Sequence, residues 1–197
     1  MNGTTIYLVD DDEAVRDALS LLLATYGMAV ETFADPTIFL AHIDGRRPGI
    51  LLLDLRMPLI SGLQLQQKLT ERGINWPTVI ITGHGDVNAC RRAFKAGISD
   101  FLSKPIDEEV LLDAIHSAQT LLQTRLETQE ANNLLASLTI REREVFDLVC
   151  EGFASKDIAE ALDISARTID AHRANIAEKL KTSSVAEFVR LTMAASQ

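Results

Sequence analysis

The chain has 197 residues, of which 47% are hydrophobic, and a formal net charge of −9 at pH 7. This length can bury one large core or two small ones, but no apolar run approaches the roughly 18 residues of a membrane span, and the N-terminus lacks the pattern of a signal peptide. Cys90 and Cys150 lie far apart in helix-like patterns, which favours small core residues in a reducing compartment over a disulfide. We therefore expect a soluble, cytoplasmic protein.

Short β-prone runs and helix-like patterns alternate along the N-terminal part of the chain. The apolar runs predict strands at residues 5–9, 29–33, 50–53, 78–81 and 99–102. Apolar positions at helical spacing predict helices at residues 13–26, after Asp35-Pro36, at residues 62–72 and 86–96, and from Asp107 onward. This alternation predicts an α/β doubly wound, five-stranded parallel sheet with helices on both faces.

The apolar run at residues 50–53 ends abruptly in the carboxylate of Asp54. Polar residues follow three other predicted strands, namely Asp10, Asp11, Thr82 and Lys104. Because the carboxyl ends of parallel strands lie at one edge of a sheet, we expect these side chains to converge in one crevice. Taken singly, Asp54 and Thr82 also fit ordinary turn residues, and Lys104 fits a solvated surface lysine. Their joint placement favours a functional site.

The residue types at this edge suit phosphoryl chemistry. Three carboxylates without a neighbouring His or Cys favour a hard divalent cation, Mg²⁺ or Mn²⁺. The ammonium of Lys104 and the hydroxyl of Thr82 are suited to phosphate oxygens. Asp54 is then the candidate nucleophile, because a carboxylate can accept a phosphoryl group covalently.

Residues 107–135 contain neither proline nor glycine, but their apolar stripe thins after Leu126. This pattern fits either one continuous helix that leaves the first domain or a linker that frays. We predict a first domain at residues 1–122, a helical linker at residues 123–137 and a second domain at residues 138–197.

Beyond the linker the pattern contains helices only, predicted at residues 141–151, 156–162, 166–180 and from Ser184 onward. Thr139 and Glu142 form a capping-box pattern, and Ser155 is the expected N-cap of the second helix. A tight turn at residues 163–165 separates the second and third helices. Two helices joined in this way, with a supporting helix on each side, predict an all-α, four-helix domain of the helix-turn-helix type.

Both predicted domains resemble known families. Residues 1–125 resemble the flavodoxin-like receiver domain of two-component response regulators, through Val9-Asp10-Asp11, Leu53-Asp54-Leu55-Arg56-Met57-Pro58, Thr82-Gly83-His84-Gly85-Asp86 and Phe101-Leu102-Ser103-Lys104-Pro105. Residues 138–197 resemble the LuxR-type helix-turn-helix through residues 138–145, 152–159 and 167–173, with Ile140 where proline is common. The whole chain therefore resembles the NarL/FixJ family of transcription factors.

The resemblance to the receiver domain implies a role for each polar residue of the predicted edge. It implies that a partner sensor histidine kinase phosphorylates Asp54. It implies a Mg²⁺ site made by Asp10, Asp11, Asp54 and the backbone carbonyl of Arg56. Thr82 and Lys104 match the residues that contact the phosphoryl group, and Phe101 matches an aromatic residue that changes rotamer when Thr82 moves. The Lys104–Pro105 peptide bond matches one that is typically cis.

The helix at residues 166–180 would be the recognition helix in the major groove of double-stranded promoter DNA. Neither half of the chain is basic overall, with 18 acids and 11 bases in residues 1–137 and 10 acids and 8 bases in residues 138–197, so DNA binding needs a local basic surface. Residues 165–181 provide one, with four bases and two acids. The phosphate candidates are Lys156, Arg167, Arg173 and Lys179. The base-edge candidates are Thr168, Asp170, Ala171 and Ala174.

Two alternatives apply to these DNA-contact assignments. Each charged residue also fits a solvated helix face. His172 fits either a phosphate contact or helix packing, so the pattern alone does not decide its role.

We therefore predict a phosphorylation-dependent transcriptional regulator that forms a homodimer when phosphorylated, with RNA polymerase as a further candidate partner. Two other functions compete with this one. Aspartyl-phosphate phosphatases and ATPases also use a strand-end Asp, but they commonly carry a second carboxylate two residues later, where this chain has Arg56. We therefore expect slow self-dephosphorylation at most. The second competitor is an output domain that acts through protein contacts alone.

Overall fold

The computed structural model describes residues 4–83 and 97–196. Contacts divide the chain into two compact units, Met1–Gln123 and Thr124–Gln197. The predicted helix at residues 86–96, Cys90 and the His84-Gly85-Asp86 part of the receiver motif lie outside the described residues.

The first unit contains the predicted parallel sheet. In the described residues its strands are β1 (Thr5–Val9), β2 (Ala29–Phe33), β3 (Gly49–Asp54), β4 (Thr78–Thr82) and β5 (Asp100–Ser103). All neighbouring strands pair in parallel, in the order β2-β1-β3-β4-β5. The described helices of this unit are α1 (Glu13–Thr25), α2 (Pro36–His42), α3 (Gly62–Glu71) and the start of α4 (Glu108–Ala136). The five-stranded, doubly wound fold is therefore confirmed.

Alternation along the strands gives the sheet two buried faces. Tyr7 and Leu53 belong to one hydrophobic cluster with residues of α2 and α3. Leu8 and Leu52 belong to a second cluster with residues of α1 and α4. Successive side chains of a strand point to opposite faces, so a central strand covered on both sides must be apolar throughout. This explains why β3 reads as an unbroken apolar run up to Asp54.

Helix α4 is continuous over 29 residues, from Glu108 to Ala136, as the absence of proline and glycine allows. The carboxylate of Asp107 caps it by accepting hydrogen bonds from the backbone N–H groups of Glu109 (3.0 Å) and Val110 (3.2 Å). Most of the predicted linker, residues 123–137, lies within this helix. No helix among the described residues is both long and apolar enough to cross a bilayer.

The second unit contains four further helices in its described part, namely α5 (Ile140–Cys150), α6 (Ser155–Leu162), α7 (Ala166–Leu180) and α8 (Val185–Ala195). Its hydrophobic core includes Phe146, Ile158 and Ile176, all fully buried. The predicted N-cap of α6 is wrong. Ala154 occupies the cap position and makes no side-chain hydrogen bond there. The helix begins one residue earlier than predicted because the backbone N–H groups of residues 157 and 158 donate to the carbonyl of Ala154 and form the first turn.

Candidate phosphoacceptor site and DNA-binding helix

The strand order places the predicted polar residues at one edge of the sheet. Asp54 and Thr82 are the last residues of β3 and β4, while Asp10 and Lys104 directly follow β1 and β5. Because β1, β3, β4 and β5 are successive neighbours, these residues share the carboxyl edge. Asp10, Asp54 and Thr82 are buried, with 1%, 6% and 1% of their surfaces exposed.

Lys104 contacts two carboxylates at once. Its Nζ atom lies 2.7 Å from Oδ2 of Asp10 and 2.9 Å from Oδ1 of Asp54. The remaining carboxylate oxygens accept backbone N–H groups, from Asp12 to Asp10 at 2.9 Å and from Arg56 to Asp54 at 2.6 Å. Every oxygen of the two buried carboxylates therefore has a partner, which lowers the cost of their burial.

Burial and ion pairing act against each other on the pKa values of this site. Burial raises the pKa of Asp54, and the neighbouring Lys104 ammonium offsets part of that increase. Burial alone would lower the pKa of Lys104, but its bonds with Asp10 and Asp54 outweigh burial and raise it. Lys104 is therefore a cation at neutral pH.

The structure brings two of the three predicted carboxylates together. Asp11 lies in the bend after β1 and is exposed, and no group of three His, Cys, Asp or Glu side chains in residues 4–83 and 97–196 is close enough to share a metal ion. The donors nevertheless fit a hard divalent cation, because all of them are oxygens. Asp10, Asp11 and Asp54 carry three negative charges, and Lys104 neutralises one.

The other residues of the predicted switch also lie along β4 and β5. The backbone N–H of Lys104 donates to the carbonyl of Thr82 at 2.7 Å. Phe101 pairs with Ile80 across the strands and is partly buried against the cluster on the α2–α3 side of the sheet. The Lys104–Pro105 peptide bond is cis.

Gly62 allows α3 to begin directly against the end of β3. A Cβ atom at this position would lie 2.4 Å from the backbone oxygen of Asp54, so no other residue fits without a backbone shift. A capping box between Ser61 and Gln64 starts the helix at this point. The loop from residue 55 to residue 61 is thereby fixed at both ends.

In the second unit, α7 displays most of the predicted DNA-contact residues. Its N-cap is Ser165, whose hydroxyl accepts the backbone N–H of Thr168 at 3.1 Å. His172 and Arg173 are half-buried. The exposed predicted residues are Lys156 on α6 and Arg167, Thr168, Asp170, Ala171 and Ala174 on α7.

Both parts of the chain match models of known protein families. The family model described as "Response regulator receiver domain" matches residues 6–116, which is more than half of the chain. The model described as "Bacterial regulatory proteins, luxR family" matches residues 136–192. The chain belongs to the NarL/FixJ family of response regulators.

Individual response regulators are similar to this one over nearly their whole length. The transcriptional regulatory protein FixJ of Rhizobium meliloti (strain 1021) is 40% identical over 98% of this chain and 97% of its own. The response regulator protein TmoT of Ectopseudomonas mendocina is 44% identical over 96% of this chain and 88% of its own. The solved structure of the response regulator StyR is 42% identical, covers 97% of this chain and 98% of its own, and superposes with a TM-score of 0.75.

Lys179 of this response regulator is engaged inside its own domain. Its Nζ atom lies 2.6 Å from Oε2 of Glu142 and 3.2 Å from the backbone oxygen of Ser137. The same Glu142 oxygen accepts the backbone N–H of Thr139 at 2.7 Å and completes the predicted capping box, which is confirmed. These contacts remove Lys179 from our set of phosphate candidates.

Glu142 makes a pH-dependent contribution to stability. Hydrogen bonds from Lys179 and Thr139 lower its pKa from an ordinary 4.5 to about 2. A lowered folded-state pKa means that its contribution is complete above pH 4.5 and is lost as the pH falls toward 2.

We therefore expect Glu142→Gln, which retains the capping acceptor but removes the charge, to lower the free energy of unfolding by about 1–2 kcal/mol at pH 7. The difference from wild type should shrink between pH 4.5 and pH 2. Denaturant unfolding followed by far-UV circular dichroism measures it. A difference that stays constant across this range would contradict the assignment to charge.

One residue of the receiver site escaped the sequence analysis. Arg16, in the first turn of α1, donates a hydrogen bond from Nη1 to the backbone oxygen of Asp10 at 2.9 Å. Its position only six residues after Asp10, on the helix that directly follows the acidic turn, was the available signal.

Proposed function

We propose that this response regulator is switched by transfer of a phosphoryl group from a partner histidine kinase to Asp54, and that the switch controls binding to promoter DNA. The observation that supports it best is the buried pair of carboxylates on one ammonium. Asp10, Asp54 and Lys104 meet at the carboxyl edge of the sheet. The same chain carries an exposed recognition helix, which gives the phosphorylation signal an output.

In the transfer, a carboxylate oxygen of Asp54 forms a bond to phosphorus, and the bond from phosphorus to the histidine nitrogen of the kinase breaks. The imidazole leaves as a neutral ring because its other nitrogen already carries a proton in the phosphohistidine, and the phosphoryl group keeps its negative charge. The Asp54 oxygen that receives phosphorus loses its charge, so Lys104 loses one ion-pair partner and gains the phosphoryl oxygens as acceptors.

The residues proposed to hold Mg²⁺ are Asp10, Asp11, Asp54 and the backbone carbonyl of Arg56. When bound, the ion would neutralise charge on the incoming phosphoryl group and on the carboxylates. The turn after β1 contributes two of these carboxylates, and the loop after β3 contributes the carbonyl.

The phosphoryl group is proposed to act on the output through Thr82 and Phe101. Thr82 would move toward the new charge, and Phe101 would fill the space that Thr82 leaves. The changed surface would favour a homodimer, which places two recognition helices on two half-sites and raises the effective affinity for DNA. Phosphorylation can shift the equilibrium toward the dimer only by as much as it stabilises the active state relative to the inactive one.

The enzyme alternative is disfavoured by the side chain at position 56. Arg56 is exposed and basic, and it cannot serve as the general acid of a phosphatase. A slow self-dephosphorylation remains part of the proposal. Multiple turnovers of a small phosphomonoester at an ordinary enzymatic rate, about 1 per second or faster, would favour a phosphatase instead.

The proposal is tested by combining phosphoryl labelling with footprinting. We expect a small phosphodonor to label the full chain in the presence of Mg²⁺, and the labelled protein to protect specific genomic sites more strongly than the unlabelled protein. Labelling without any change in protection would reject the switch. Failure to bind any duplex would favour an output that acts through protein contacts.

The DNA-contact assignments make separate predictions for Arg167 and Lys179. We expect Arg167→Gln to make the salt dependence of DNA binding shallower, because one phosphate contact is lost. The slope of the logarithm of the DNA association constant against the logarithm of salt concentration should fall in magnitude by about 0.9 per bound domain. Lys179→Gln should leave this slope unchanged and lower stability, since its ammonium binds Glu142. Equal slope changes in both variants would contradict the structural distinction. Binding measured at several salt concentrations decides the result.

A further inference from the structure

We infer that Arg16 is a positioning residue of the phosphoacceptor site, which orients the acidic turn after β1 through the backbone carbonyl of Asp10. This inference rests on the proposed function, because it concerns how Asp10 and Asp11 are presented to the phosphoryl group and to Mg²⁺. The guanidinium of Arg16 is partly buried and donates to the Asp10 oxygen at 2.9 Å. A charged donor makes this a stronger bond than one between neutral groups.

A hydrogen bond to the Asp10 carbonyl also orients the residue that follows Asp10. A carbonyl oxygen lies in one plane with the N–H of the next residue, so a bond to it fixes the orientation of the whole peptide unit. In this chain that unit joins Asp10 to Asp11. The side chain of Asp11 is exposed, and no hydrogen bond or ion pair within the described residues holds it. The direction in which Asp11 leaves the sheet therefore depends on the peptide unit that Arg16 binds.

The remaining contacts of the turn leave this role to Arg16. The backbone N–H of Asp10 donates to Phe33, and that of Asp12 donates to the Asp10 carboxylate. The Asp12 carboxylate caps α1 through Ala14. These bonds fix both ends of the turn. Within the described residues, the hydrogen bond from Arg16 is the one made to the backbone carbonyl of Asp10, which lies between these two ends.

Helix electrostatics argue against an incidental contact. The N-terminal turn of a helix carries a partial positive charge and disfavours cations. Arg16 lies in this turn, four residues after the N-cap Asp12. A specific interaction at the acidic turn offsets that unfavourable location, whereas a solvated arginine would gain nothing there.

The domain contains a matched control for this contact. Arg72, at the end of α3, also donates from Nη1 to a backbone carbonyl, that of Leu40 at 2.5 Å. Leu40 lies in α2, and neither residue belongs to the acidic turn. Arg72→Ala therefore removes the same type of bond from the same domain without touching the proposed site.

The experiment measures Mg²⁺ affinity of the full-length wild-type, Arg16→Ala, Arg16→Lys and Arg72→Ala proteins by titration calorimetry, with thermal unfolding in parallel. We expect Arg16→Ala to weaken Mg²⁺ binding about 5- to 10-fold, which is less than the full worth of a charged hydrogen bond because this bond acts on Mg²⁺ only through the peptide unit. Arg16→Lys should recover part of the affinity, and Arg72→Ala should bind as wild type does. The rate of labelling by a small phosphodonor at subsaturating Mg²⁺ should follow the same order.

Two results would overturn the inference. One is a Mg²⁺ affinity of Arg16→Ala within twofold of wild type. The other is an equal loss in Arg72→Ala, which would indicate a general effect of removing an arginine. Failure of the wild-type protein itself to bind Mg²⁺ or accept phosphate would instead reject the proposed function.

Discussion

Replacement of Asp54 by Asn is expected to abolish phosphoryl uptake, with a loss of at least about 1000-fold, or about 4 kcal/mol in the activation barrier. The amide of Asn has no anionic oxygen to attack phosphorus. The fold should persist, because Asn has nearly the same shape and its amide oxygen can still accept from Lys104. Labelling by a small phosphodonor, with wild type in parallel, measures the loss.

The matched control for this variant is Asp17→Asn, which changes an exposed carboxylate of α1 and should be labelled as wild type is. The Asp54→Asn protein should also lose the phosphodonor-dependent change in its DNA footprint. Labelling of Asp54→Asn at the wild-type rate would show that the acceptor is a different residue, and the assignment of Asp54 would then be wrong.

The sequence was sufficient to predict which polar residues lie at the ends of the strands on this edge, because topology alone brings the strand ends together. Apolar runs marked the strands, and the rule that parallel strands end at one edge placed Asp10, Asp54, Thr82 and Lys104 side by side. The prediction did not extend to side-chain directions. The edge rule gives the position of Lys104, but only the folded chain shows its ammonium between two carboxylates while Asp11 lies exposed.

Ion pairs between distant residues were the other limit of the sequence analysis. Lys179 had the charge and the helix position of a phosphate contact, and its partner Glu142 lies 37 residues earlier. Charge counting treats both as surface residues, because the pattern contains no information about which side chains meet. The same limit explains why the backbone contact of Arg16 was not predicted.

Replacement of Lys104 by Met should have the largest effect on the stability of the receiver domain. It leaves the two buried carboxylates of Asp10 and Asp54 without their shared cation. Breaking a buried pair costs about 3–5 kcal/mol, and the 24% exposure of the Lys104 side chain reduces this to about 2–3 kcal/mol at pH 7. Urea unfolding followed by the fluorescence of Trp76, the chain's single tryptophan, reports on this unit.

The same variant should bind Mg²⁺ more tightly than wild type, because the ammonium that competes for both carboxylates is gone. Millimolar Mg²⁺ should therefore raise the unfolding free energy of Lys104→Met more than that of wild type, as expected for a ligand of the folded state. Lys68→Met, which removes an exposed lysine of α3, should change neither stability nor Mg²⁺ response. If Lys104→Met were as stable as wild type and showed no gain in Mg²⁺ affinity, the ammonium would not be what balances the charge of the two carboxylates. In that case the contact between Lys104 and Asp54 would contribute to neither the folding nor the Mg²⁺ affinity of this site.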